Sequence, residues 1–243
     1  MAIQQPTLTD SQSSPDHSLS HRVFANDSAS AVKAVVVDSS NNILLGDGTT
    51  NYMQVSSTGF TTLVGSAKSQ LAMRPAFVAG KTTTPQKPTP VFYGAYGGYS
   101  FPIYNNDNEE LFWRLTIPGR WDGSTDIEYK LYVCLAAEET TGDDFRFQLS
   151  WSNTTGTTGV INTTTVDVTA DGDCSAGHTA AYSVFILTFT IDVSAGPITP
   201  VAAGHVLTGR IRRIASGGTE VSDEIIILDH TLDFTVDRIF KAA

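Results

Sequence analysis

The side chains able to do chemistry are few, and their spacing decides what each set can support. A serine nucleophile of an acyl-transfer enzyme sits in a G-x-S-x-G elbow between a strand and a helix. Ser100 lies in Gly98-Tyr99-Ser100-Phe101-Pro102, which lacks the second glycine, and no helical periodicity follows it. The chain has no G-x-x-x-x-G-K-[ST] phosphate loop, no G-x-G-x-x-G opening a helix and no H-E-x-x-H. Carboxylates cluster at Asp107, Glu109 and Glu110, at Glu138 and Glu139, and at Asp143 and Asp144. Glycoside cleavage needs two carboxylates about 5 to 9 Å apart across a cleft. These clusters fall in turns bounded by Gly, Asn and Thr, where acids are expected to be solvated. Asp171-Gly172-Asp173 offers oxygens to calcium, without the repeated ligands and terminal Glu of an EF-hand loop. His17, His21, His178, His205 and His230 show no paired metal spacing. Cys174 and His178 are four apart without further ligands, and Cys134 with Cys174 fills neither a structural zinc site nor a disulfide framework. The expectation is a protein without catalytic residues, metal or cofactor.

Two further sets bear on binding or on packing. Tyr93, Tyr96, Tyr99, Phe101 and Tyr104 are interleaved with Gly94, Gly97 and Gly98, and Trp121 sits in the turn Pro118–Ser124. Exposed rings on a β-sandwich stack on sugars, although most rings of such a domain fill its core or an interface. Arg210, Arg212 and Arg213 form the one basic cluster, expected to pair with carboxylates within the protomer or across a subunit boundary.

The elements that must position these residues are strands. Of 243 residues, 41% are hydrophobic and only 16% charged, and threonine is the commonest residue. Helix formers are scarce, and no long window carries apolar residues at i, i+3, i+4 and i+7, so the fold class is all-β. The net charge of −10 argues against nucleic acid as a partner. The absence of an 18-residue apolar run argues against a membrane span, and the start MAIQQPTLTD reads as no secretory signal.

Composition divides the chain. Residues 1–33 form a polar Ser-, Asp- and Pro-rich arm, too poor in apolar surface to order itself. Residues 34–67 alternate short apolar runs with turn clusters about every nine residues, a ladder of short strands too thin for its own core. Such a ladder either packs on the downstream domain or self-associates as an intertwined trimeric stalk. Residues 68–90, with Pro85, Pro88 and Pro90, read as an extended linker. Residues 91–243 hold eight strand candidates, at 91–104, 109–118, 126–137, 144–153, 163–169, 182–193, 205–215 and 224–238. Alternation puts Ile127, Tyr129, Leu131, Val133 and Leu135 on one face, as it does Phe145, Phe147, Leu149 and Trp151, and Phe185, Leu187, Phe189 and Ile191. Eight strands with turns of this spacing predict a jelly-roll β-sandwich. The acidity is uneven. Residues 1–90 carry 6 basic and 5 acidic side chains, and residues 91–243 carry 9 and 20.

The opening phrases IQQPTLTDSQSSPDHSLSHR and AVKAVVVDSSNNILLGDGTTNYMQVSSTGFTTLVGSA resemble the N-terminal part of tailed-bacteriophage structural proteins. The phrase IPGRWDGSTDIEYKLYVCLAAEETTGDDFRFQLSW resembles the jelly-roll domains of phage capsid-decorating, head-fibre and tail proteins. What the resemblance implies is a non-enzymatic virion component assembled in the host cytoplasm. It would be a homotrimeric cement or head-fibre protein that docks through its arm on the major capsid protein or another virion protein. The alternative it implies is a tail-associated or receptor-binding protein whose tip holds host surface carbohydrate.

Overall fold

A computed structural model describes residues 35–37, 39–46, 50–65, 68–80, 88–93, 95–102, 109–155, 163–175, 177–197 and 200–237. The expected arm, 1–33, lies outside them. The chain forms two compact units, one holding the first four strands and the other spanning Gln70–Thr235.

In the first unit the short apolar runs are strands β1 (Val35–Val37), β2 (Ile43–Gly46), β3 (Tyr52–Val55) and β4 (Thr61–Val64). They pair antiparallel in sequence order, with Val36 opposite Leu44, Leu45 opposite Met53 and Gln54 opposite Thr62. The turn before β2 places Asn41 at φ 61, a left-handed conformation that Asn tolerates better than most residues. Among the described side chains of this sheet only Leu44 is buried. Every residue of β3 and β4 is half-buried, and Ile43 and, in the β3–β4 turn, Phe60 are exposed.

The second unit holds β5 (Ser69–Met73), β6 (Ala76–Gly80), β7 (Thr89–Tyr93), β8 (Tyr96–Phe101), β9 (Glu110–Thr116), β10 (Ile127–Leu135), β11 (Asp143–Thr154), β12 (Val166–Asp173), β13 (Val184–Ile191), β14 (Val206–Ile214), β15 (Thr219–Glu220) and β16 (Ile225–Val236). One sheet runs β13-β10-β16-β8-β7 with β5 also on β16. The other runs β12-β11-β14-β9-β6 with β15 on β11. Strands β13, β10, β16 and β8 lie in the first sheet and β12, β11, β14 and β9 in the second. Among these eight, taken in chain order, each strand crosses to the other sheet except β11 to β12, which is jelly-roll wrapping. The domain is a two-sheet β-sandwich.

The alternating residues meet in its core. Phe145, Phe147, Leu149 and Trp151 are fully buried, as are Ile127, Tyr129, Leu131, Val133 and Leu135, with Leu187, Phe189 and Ile191 beside them. Trp113 of β9 packs where Gly209 of β14 lacks a side chain. A Cβ there would fall 2.2 Å from the indole.

Two expectations change. The segment 91–104 is not one strand: β7 and β8 form a hairpin with Tyr93 opposite Tyr96. Within 68–90, Ser69–Met73 and Ala76–Gly80 are strands, not spacer. The prolines do not forbid this. Pro75 falls between β5 and β6, and Pro90 sits on β7, at the end of its sheet's strand order, where a missing N–H breaks no ladder.

Candidate functional site

Most residues with chemical potential are absorbed by structure. The Ser100 hydroxyl is buried and donates to Glu224 Oε2 at 2.5 Å. Glu139 accepts the backbone N–H groups of Ser222 and Asp223 and the Ser222 hydroxyl at 2.9–3.0 Å. Glu110 is buried and meets Arg210 Nη1 at 3.1 Å. The expectation that the acidic clusters are solvated fails at these two glutamates. Glu110 lies in strand β9 and Glu139 caps a loop backbone, so each is compensated where it is buried. Asp107 lies outside the described residues. Asp143 Oδ2 accepts the Thr140 N–H at 2.9 Å. Arg146 binds Asp171 through Nε and Nη2 and holds its carboxyl below the usual range.

Among the described residues no three His, Cys, Asp or Glu gather as metal ligands. Cys134 and Cys174 are buried thiols. Burial, with help from nearby carboxylates, pushes Cys174 up to about 11. His178 is exposed and leans on Phe185. Of the arginine cluster, Arg213 is buried, pairs with Glu220 at 2.6 Å, and donates to the carbonyls of Pro102 and Asp223. Arg210 takes Glu110, while Arg212 donates to the amide of Gln148 at 2.5 Å.

The aromatic set divides. Phe101 and Trp121 are buried, the latter donating to the Thr125 carbonyl. Tyr104 and the side chain of Tyr93 lie outside the described residues. Tyr96 is 71% exposed, and so, at 81%, is Phe92, a ring the spacing did not single out. Its sequence signal is Gly97, its partner across the hairpin. The Phe92 ring rests over Gly97, 3.3 Å from where a Cβ would stand.

Register places these rings on opposite faces. Phe92, Gly97, Pro90 and Tyr99 share one face of the hairpin, and Tyr96 takes the other. On β16 the pairing with β8 begins at Ile225↔Phe101 and ends at Ile227↔Tyr99, so the far end of the hairpin overhangs the sheet. There β16 also bulges. Val133 faces Ile227 and Tyr132 faces Asp229, so Leu228 has no partner on β10. Between the overhang, the bulge and the start of β6 lies a cleft of about 400 Å³ lined by Pro75, Phe77, Phe92, Tyr99, Asp229 and His230, among others.

The cleft has an ordered floor. Phe77 stacks on His230 with centroids 4.0 Å apart and planes 2° apart, and meets Tyr99 edge-on at 5.6 Å. Tyr129 OH and His230 Nδ1 are 2.9 Å apart. The imidazole also bonds the backbone of Pro75, which has only a carbonyl to offer, so Nδ1 is left to accept from Tyr129. Burial lowers the imidazole to about 4 and raises the Tyr129 phenol, keeping both neutral. At the rim Asp229 Oδ2 lies 3.2 Å from Arg74 Nε, while Oδ1 accepts the His230 N–H at 2.8 Å. Among the described residues Asp229 is the one carboxylate lining the cleft, and with the Arg74 guanidinium it gives an aromatic cleft one donor–acceptor pair at its edge.

No family model matches the chain, and no curated protein matches it. Among solved structures it is similar to a xylan-binding module, CBM15, at 13% identity and a TM-score of 0.37, over 72% of this chain and 100% of that one. It is similar to a family 30 carbohydrate-binding module at 12% identity and TM-score 0.33, over 71% and 91% of the two chains. It is also similar to CBM28, a module specific for non-crystalline cellulose, at 9% identity and TM-score 0.32, over 62% and 79%. Likenesses this distant bear on neither ligand nor activity.

Proposed function

We propose that the chain is a non-catalytic structural protein of a phage virion. It self-associates as a trimer through its four-stranded sheet, docks on the capsid through its N-terminal arm, and displays the acidic jelly roll. The observation that carries this reading is the four-stranded sheet. Eleven of its fifteen strand residues are Val, Ile, Leu, Met or Tyr, yet among its described side chains Leu44 alone is buried. Four strands of three or four residues cannot cover such faces themselves, and other copies of the chain can. The resemblance of residues 3–67 to phage structural proteins supports the same reading.

The test is the mass of the full chain in solution by light scattering. Three times 26.0 kDa is expected, and Ile43→Lys with Phe60→Asp should lower it. A stable 26.0 kDa monomer with a protected β2–β3 ladder overturns the trimer.

A second reading has its own observation. Phe92 and Tyr96, 81% and 71% exposed, are large rings held on a defined hairpin. Rings left in solvent in this way suit a head that binds carbohydrate at a host surface.

A further inference from the structure

We infer that the cleft beneath the β7–β8 hairpin is a sugar-binding site, which takes one pyranose ring between Phe92 and the Asp229–Arg74 edge. This rests on the second, carbohydrate-binding reading and gives it a location and a contact set.

The cleft is built before any ligand arrives. Phe92 is 81% exposed, yet its ring is seated over Gly97 on a paired strand and needs no rearrangement to present a face. The floor is fixed more firmly, because Phe77 is stacked on a buried imidazole that is itself bonded to Tyr129 and Pro75. A pocket lined by rings, prolines and aliphatic side chains, with a few placed polar groups, is the usual form of a small-ligand site. Its volume of about 400 Å³ falls within the usual range for such sites.

The polar edge selects the ligand class. Asp229 accepts and Arg74 donates, 3.2 Å apart. A hydroxyl both donates and accepts, so a ring bearing neighbouring hydroxyls satisfies both partners without breaking the pair. The extra residue of the bulge, Leu228, also lines the cleft, and it has no partner on β10. A sugar also has a C–H face, whose slightly positive hydrogens meet the negative face of an aromatic ring. A purely apolar peptide would cover the Asp229–Arg74 pair and return nothing for its desolvation. The two sides of the hairpin supply an internal control. Tyr96 is nearly as exposed as Phe92 but points to the other face and does not line the cleft.

The experiment uses the full chain on a glycan array of glucose-, galactose-, mannose-, xylose- and N-acetylhexosamine-based oligosaccharides. The strongest hit is then titrated calorimetrically against wild type, Phe92→Ala, Asp229→Asn and Tyr96→Ala. Both rings are solvent-exposed, so neither alanine variant threatens folding, and urea midpoints check this. The expected result is a bound oligosaccharide whose affinity falls about ten-fold or more in Phe92→Ala, falls in Asp229→Asn, and is unchanged in Tyr96→Ala. Sugar binding that survives Phe92→Ala overturns the cleft while leaving the carbohydrate reading in place. An array with no bound glycan, or capture of an apolar proline-rich peptide in the cleft in place of sugar, overturns the inference. The empty array overturns the carbohydrate reading with it.

Discussion

At His230 the surroundings decide the protonation state. The ring faces Tyr129, Phe77, the Pro75 carbonyl and, along its own strand, Asp229. Burial outweighs Asp229 and the carbonyl, so the folded value falls to about 4 from 6.5. Between these values the unfolded chain binds a proton that the folded chain refuses. The contribution to stability is therefore complete above pH 6.5 and is lost as pH falls toward 4, amounting to about 3 kcal/mol. Urea midpoints of wild type and His230→Gln, compared across this window, should show a steeper fall in wild type; parallel curves would reject the account. The sequence gives only weak notice of this residue. Its five histidines look alike by spacing, and only the partners that tertiary packing brings to His230 separate it from exposed His178. The buried glutamates make the same point. Glu110 and Glu139 read as turn acids until Arg210 and the Ser222–Asp223 backbone stand beside them.

At the scale of elements, a period of two was enough to place most of the sandwich. Strands β9 to β14 and β16 fall within one to three residues of the candidates at 109–118, 126–137, 144–153, 163–169, 182–193, 205–215 and 224–238, apart from the C-terminal end of β12. The inward faces of β10 and β11 are those that alternation assigns. The β7–β8 hairpin escaped because glycines carry no hydrophobic signal, so Gly94, Gly97 and Gly98 blurred two short strands into one. Glycine matters again at Gly209, for space. Trp113 is fully buried and occupies the place of the missing side chain. Gly209→Ala should lower stability by at least about 2 kcal/mol through overpacking, measured by urea unfolding. An unchanged midpoint would mean that β9 and β14 separate more freely than their paired register implies.

At the scale of the whole molecule, charge and composition run in one direction along the chain. The arm and short-strand segments, residues 1–67, carry 2 basic and 5 acidic side chains, against 9 and 20 in residues 91–243. A weakly charged end can lie against a protein shell without strong repulsion, while the more acidic end stays solvated. Under the proposed function, deleting residues 1–33 should abolish capsid binding in a co-sedimentation assay and leave the thermal transition of the head in place. Capsid binding by the truncated chain would move the docking surface elsewhere. The all-β class, the burying faces and the charge polarity were determined by the sequence itself, because alternation and composition are properties of neighbouring residues. The cleft was decided by tertiary structure alone. It needs the underside of one hairpin, a bulge near the other end of the chain and the first residues of β6 to meet, and such pairings arise from contacts between distant residues that no local pattern encodes.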